Sequence, residues 1–501
     1  MTDIIQLDAT RIAELVANRE LSPVEVMKAH LDRIAEVNPA VNAIVTMAEG
    51  ALDAAKNAEA ALRSDARLGP LHGVPFTVKD GIDTAGVPTQ RGSPIFKGRV
   101  PETDATVVAR LKAAGAILIA KTNPPEFSYS IETDNLLTGR TNNPWNLDYT
   151  PGGSSGGESA AIAAGMSPLG VGSDLSISLR GPAAHTGIVG FKATHGRMPM
   201  TGHWPRVPRR VWHIGPMARS VRDVALAYSL MAGPDGADGF SICSPDLDTG
   251  VGTTSTRQVR VGWLASPGFF GPTDPEVVAT VKAAAHALSS AGCHVEQVRL
   301  PVLEQTDANT VLWQLQQMEA RPEFAKVTAG HGAEIFRHAR LVLDTPDTPI
   351  ADFVAAEQAV ERLRDSFVDY FQRYDALLGP VTPFPATRHG LADLVIDGKT
   401  VSAFHVMSAT SPFSLTGMPA LSMRFGTSHD GLPIGVQIVS SWLAESTVLK
   451  VASLLEEVSP VRNLHPALTS TGGGSRRPFG DAQAASVAPT TLIERHKVIP
   501  A

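Results

Sequence analysis

Apolar residues follow two different spacings along this chain. Before residue 63 they recur at helical intervals: Ile12, Leu15 and Val16 stand at i, i+3 and i+4 and form one stripe. Ser22-Pro23-Val24-Glu25 reads as a helix start, with a capping-box serine and glutamate and a proline at the first helical position. That helix carries Val26, His30 and Ile34 and is expected to stop at Asn38-Pro39. An alanine-rich helix is expected over 48–62, ahead of the Gly69-Pro70 breaker. After Leu71 the spacing changes to short, nearly unbroken apolar runs at 74–78, 116–120, 169–172, 260–264, 376–378 and 434–439. Such runs suit strands covered on both faces. Helical stretches lie among them, at 105–114, 275–291 and 351–370. The alternation predicts an α/β fold, with a mixed or parallel sheet and helices on both faces.

Length bears on how this material is divided. At 501 residues, the chain exceeds the roughly 250–300 residues that one core usually serves. We expect an N-terminal helical segment over 1–68 packed on the core, and an α/β core over 69–465. Residues 301–350 should form a helical cover over the site, with Trp313, Met318 and Phe324 among polar positions. The Pro- and Asp-rich stretch 233–256 reads as a long surface connection. The tail over 469–501 has the composition of a poorly ordered linker.

Charge and cysteine content remove several function classes. A net charge of −7 gives no electrostatic footing for nucleic acid or an anionic membrane. The N-terminus lacks the basic and apolar regions of a signal peptide, and no 18-residue apolar run occurs, so the expected compartment is the cytoplasm. Cys243 and Cys293 have no metal-ligand spacing and are expected to be buried thiols, with no metal site.

Candidate chemistry concentrates at 151–190, which opens with four glycines and two serines from Gly152 to Gly157. A second serine-rich loop holds Ser176 and Ser178. Gly153-Ser154-Ser155-Gly156-Gly157 fits G-x-S-x-G, but that turn needs a strand before it, and Thr150-Pro151-Gly152 argues against one. Residues 115–122 imitate a phosphate-binding loop, yet their middle is an apolar strand. His72, His185 and His195 make a Ser-His-Asp triad formally available, though none sits in a pattern tied to a nucleophile. Lys79 follows an apolar strand and precedes Asp80-Gly81, placing its ammonium at a strand terminus, where α/β folds build sites.

Order and spacing add a resemblance. GPLHGVPFTVKD at 69–80, GAILIAKTNPPEF at 115–127, TNNPWNLDYTPGGSSGGESAA at 141–161 and GSDLSISLRGPAAHTGIVGFKATHGR at 172–197 resemble the amidase signature family of serine hydrolases. Later segments at 213–225, 375–383, 413–426 and 430–439 resemble it too, and the likeness covers most of 5–460. The resemblance implies the amidase signature fold, an α/β fold with a large mixed twisted sheet and helices on both faces, and a Ser–cis-Ser–Lys catalytic unit that needs no cofactor. Ser178 would be the nucleophile, Ser154 the bridging serine, Lys79 the base and Ser155 an orienting hydroxyl. Backbone amides at Leu175, Ser176, Ile177 and Ser178 would form the oxyanion hole.

The sequence departs from that pattern where Asp-Thr-Gly-Gly-Ser is replaced by Asp174-Leu175-Ser176-Ile177-Ser178. Three consequences are open: ordinary dihedrals with Ile177 lining the acyl pocket, a remodelled loop with altered amide or ester preference, or an impaired site. The implied activity is hydrolysis of a small-molecule carboxylic amide, apolar, aryl or acyl. A glutamine-hydrolysing amidotransferase subunit, a carbamate or ester hydrolase and a non-catalytic binding relative are the alternatives. Trp204 and Trp212 flank the stretch where amidotransferase subunits carry a polar run, which favours a free-standing hydrolase. Phe127 and Trp313 are candidate lining residues, with core packing as the competing role. A homodimer is compatible with this reading.

Overall fold

The computed structural model describes residues 4–63, 68–243, 259–268 and 271–468. The expected tail at 469–501 and most of the surface connection at 233–256 therefore lie outside the described residues. Thirteen strands occur among the described residues: β1 (Ile44–Met47), β2 (Pro75–Lys79), β3 (Ile117–Thr122), β4 (Leu169–Asp174), β5 (Val189–Lys192), β6 (His213–Ala218), β7 (Arg260–Trp263), β8 (His294–Gln297), β9 (Ala376–Pro380), β10 (Asp393–Ile396), β11 (Lys399–Ser402), β12 (Ala420–Thr427) and β13 (Pro433–Val439). Eleven of them form one sheet, in the order β1-β3-β2-β4-β6-β5-β12-β13-β9-β7-β8. β10 and β11 pair only with each other.

The sheet is mixed, as the family resemblance implied, and its apolar runs supply both parallel and antiparallel strands. β2 lies parallel to both β3 and β4, and β7 lies parallel to β8 and β9, while the remaining contacts are antiparallel. Strands β2, β3, β4, β9 and β13 are buried along their whole length. Their run-like composition follows from having helices against both faces.

Several boundaries differ from the expectation. The helix that starts at Pro23 does not stop at Asn38-Pro39 but runs to Val41. Proline in a last turn forgoes one hydrogen bond, and Asn38 compensates: its side chain accepts from Ala43 N (2.9 Å) and Ile44 N (2.8 Å). Asn42, left-handed at φ 53°, then closes the helix and turns the chain into β1. The alanine-rich helix begins at Ala51, three residues later than expected (51 − 48): the Ala48 amide still donates to the Ile119 carbonyl of β3 (2.9 Å), and Gly50 stands at the N-cap. Cys293 is buried but Cys243 is exposed, contrary to the expectation for both. Helices Pro301–Gln305, Ala308–Thr328 and Arg337–Asp344 account for most of 301–350. No helix among the described residues is long and apolar enough to cross a membrane.

Candidate active site

The parallel trio β3-β2-β4 carries its C-terminal ends to one place. Lys79 is the last residue of β2, in register with Thr122 of β3, while Ser173 lies near the end of β4. The helix Gly156–Ala163 packs against these strands and begins directly after Ser154 and Ser155. Glycines make that approach feasible. A Cβ on Gly157 would collide with the Asn123 carbonyl oxygen, and one on Gly153 would stand 2.6 Å from that of Ser130. The Gly153–Ser154 peptide is cis. Gly157→Ala should therefore lower stability by about 1–3 kcal/mol, since the obstacle is backbone. A urea midpoint equal to wild type would refute this.

Lys79 is fully buried. Its ammonium reaches Ser154 Oγ at 2.7 Å, Ser173 Oγ at 3.0 Å and Ser155 Oγ at 3.2 Å. Ser155 is itself fixed, donating to the Ser173 carbonyl (3.0 Å) and accepting from the Ser173 amide (3.2 Å). Burial pushes Lys79 down to about 7, against the opposing pull of the Asp174 and Glu158 carboxyls. A lysine surrounded by hydroxyls and held near neutrality can exchange a proton with them.

Ser178 lies just before the helix Arg180–Thr186, on a loop clamped from below. Arg180 and Asp174 form a fully buried pair, with Nε–Oδ2 at 3.1 Å and Nη2–Oδ1 at 3.2 Å. Burial alone would raise the Asp174 carboxyl, but Arg180 and the Leu179 amide hold it below its ordinary value. The same guanidinium donates to the carbonyl of Ser176 (2.6 Å) and that of Thr410 (3.2 Å), and to Gln437 Oε1 (2.8 Å). One side chain thus ties the loop to β4, to β13 and to the segment before β12. Among the described residues, no acceptor takes the backbone amides of Leu175, Ser176, Ile177 or Ser178.

None of residues 175–178 is left-handed, so the β-branched Ile177 sits in ordinary backbone geometry. Its side chain packs with Phe384, Ile396 and Val406, and covers Gly181, where a Cβ would meet it at 2.6 Å. Ser176 Oγ meets Ser411 Oγ at 2.9 Å, and Ser411 donates to Asn309 Oδ1 at 2.6 Å. The two positions where the family pattern has glycine therefore face an apolar wall, at Ile177, and a chain of polar side chains, at Ser176.

The histidines stay apart from these serines. His72 contacts the Ala58 carbonyl and His195 that of Arg209. Both ring nitrogens of His185 are buried without a hydrogen-bond partner, and burial pushes its pKa down to about 4.

The sequence model of the family described as Amidase matches residues 25–449. The chain belongs to the amidase family. A glutamyl-tRNA(Gln) amidotransferase subunit from Symbiobacterium thermophilum is 37% identical over 497 residues, covering 93% of this chain and 100% of that one. Among solved structures, 6-aminohexanoate cyclic dimer hydrolase superposes with a TM-score of 0.83 at 29% identity, over 93% of this chain and 99% of that one. The corresponding glutamyl-tRNA(Gln) amidotransferase subunit of Thermotoga maritima gives 0.73 at 25% identity, over 92% and 96%.

Within this amidase-family chain, Phe127 is fully buried and makes edge contacts with Trp204 (5.0 Å) and Phe324 (5.1 Å). It packs among these rings under the helix Ala308–Thr328. Trp313 likewise packs against the core. Beside that cluster lies a cavity of about 570 Å³, lined by Ser130, Ile131, Glu132, Arg337, Val401 and Phe404 among others. The loop 130–132 that forms one wall also lies against Gly153. Sequence reasoning did not single out Ser173, Arg180 or Glu158. The close Asp174–Arg180 spacing was the available signal for the buried pair, and nothing in the sequence marked the other two.

Proposed function

We propose that this amidase-family protein hydrolyses an apolar, aryl or acyl carboxylic amide through a seryl acyl-enzyme. Ser178 Oγ attacks the carbonyl carbon and its proton passes to Ser154, whose own proton passes to Lys79. The amides of residues 175–178 receive the oxyanion. The relay then runs in reverse to protonate the departing amine, and water releases the acid by the same route. The observation that carries this reading is Lys79: fully buried, bonded to serine hydroxyls rather than to a carboxylate, and held near 7. A serine hydroxyl is a poor nucleophile until a neighbouring base takes its proton, and only a neutral lysine can do so. Ordinary dihedrals at 175–178 support an active loop over an impaired one.

The apolar wall of Ile177, Phe384, Ile396 and Val406 supports an apolar acyl or aryl group in the substrate. Trp204 packs against Phe96 at 5.2 Å, and this aromatic anchoring of the stretch 204–212, where amidotransferase subunits carry a polar run, supports a free-standing hydrolase. A second reading, a glutamine-hydrolysing subunit, is favoured by the 37% identity to the Symbiobacterium protein. A panel of anilides, aliphatic amides, esters, carbamates and glutamine, assayed with the chain alone, separates the two. We expect turnover of anilides or aliphatic amides. Glutamine hydrolysis that appears only when partner subunits are added would replace this reading with the second.

A further inference from the structure

The helix Gly156–Ala163, GGESAAIA, contains a single charged residue, Glu158, and that residue is fully buried. Among the described residues no cation stands within ion-pair distance of it. Its two carboxyl oxygens are instead taken by hydroxyls: Thr77 donates to Oε1 and Thr122 to Oε2 at 2.8 Å. Thr77 lies two residues before Lys79 on β2, so both side chains leave the same face of the strand. Thr122 is the residue opposite Lys79 on β3. The space for the carboxyl is made by β4, where a Cβ on Gly170 would collide with Glu158 Oε1.

We infer that Glu158 is a positioning residue for Lys79: its buried carboxyl, gripped by the hydroxyls that flank the lysine on β2 and β3, sets how readily Lys79 gives up its proton. The inference rests on the seryl-hydrolase reading above, which assigns Lys79 as the base. An ionised Glu158 favours the ammonium form of Lys79, and a neutral one releases it. Burial pushes Glu158 up to about 7, against Thr77, Thr122 and the nearby lysines, so its own proton is exchanged in the range where Lys79 titrates.

The other charged groups around the helix are already engaged. Lys121 of β3 donates to the Ile82 carbonyl and to Thr84 Oγ1, faces Asp80 and Asp83, and also faces Glu158, on which its charge acts more strongly than that of Lys79. Asp174 of β4 acts on Lys79 more than Glu158 does, but its pair with Arg180 holds it ionised. His203, which also faces Lys79, is pushed down to about 3 by burial, and Arg219 beyond β6 donates to the Ile162 and Ser167 carbonyls at the far end of the helix. Burial pushes His185, on the neighbouring helix, and His213, on β6, well below their ordinary values. Glu158 therefore faces two lysines, and Lys79 is the one bonded to serine hydroxyls, so it is the one whose proton the carboxyl can bias toward the nucleophile.

The test is the pH dependence of Ser178 labelling by a fluorophosphonate, which requires no knowledge of the substrate. Glu158→Gln keeps the shape and removes the negative charge, so Lys79 should lose its proton at lower pH. The acidic limb of the labelling rate should then move down by roughly one pH unit. Thr122→Val removes one donor to the carboxylate, making the ionised form less favourable, and should move the limb in the same direction by less. If Glu158→Gln fails to fold by circular dichroism, Thr122→Val decides alone. Profiles that superimpose on wild type, or an upward shift, overturn the inference while leaving the seryl-hydrolase reading intact. Failure of the wild type to label at Ser178 overturns that reading, and the inference with it.

Discussion

Ser178→Ala should lower amide turnover by roughly 10⁴-fold or more and abolish labelling by a fluorophosphonate. The substitution removes only a hydroxyl from a loop whose position is fixed elsewhere. Arg180 holds the Ser176 carbonyl and Asp174, and Asp174 accepts from the Leu179 amide at 3.0 Å. Folding and substrate binding should therefore be retained, and the loss should fall on kcat rather than KM. Turnover or labelling that persists in the variant would remove Ser178 from the mechanism and return attention to Ser154.

Lys79→Ala should cost about 10²–10⁴-fold in kcat/KM, the usual contribution of a general base. The pH profile carries the sharper information. With Lys79 held at about 7, wild-type kcat/KM should fall as pH drops through that value, because the protonated amine cannot accept. Any activity remaining in the variant should lack that limb. Stability adds an independent check on the same group. Its folded pKa lies below the unfolded value of 10.5, so between about 7 and 10.5 the unfolded chain binds more protons and folding strengthens as pH rises. Below about 7 the group is protonated in both states and the difference is constant. Denaturant unfolding of wild type and Lys79→Met at pH 7 and pH 9.5 should show the gap moving in favour of wild type at the higher pH. A gap independent of pH, together with an unchanged kcat/KM profile, would exclude Lys79 as a depressed, buried base.

Much of the architecture was legible in hydrophobic runs, because strands covered on both faces cannot alternate with polar residues. β2, β3, β4, β9 and β13 were found that way. β6 was not, since Gly215 and Pro216 are residues that central strands usually avoid. It is tolerated because the β5 ladder reaches only Met217 and Ala218, leaving Pro216 beyond it on that side. β1 was hidden by its length of four residues and by Asn38, whose clamp is a side-chain interaction with no periodic signature. At the site, Lys79 was visible as a strand-terminal amine, and the family resemblance named the two serines. Glu158 stayed hidden because a charge in a helix ordinarily faces water, and its burial depends on Gly170, a residue on another element.

The hairpin β10–β11 supplies Ile396, Leu394 and Val401 to the wall around Ile177, and it shares no ladder with the main sheet. Its outer face exposes Val395. For an engineer this is a cassette. Exchanging residues 393–402 for the matching stretch of a relative would replace part of that wall while leaving the sheet that carries Lys79 and the serines unchanged. Selectivity in this chain can therefore be diversified without disturbing the machinery that would perform the reaction.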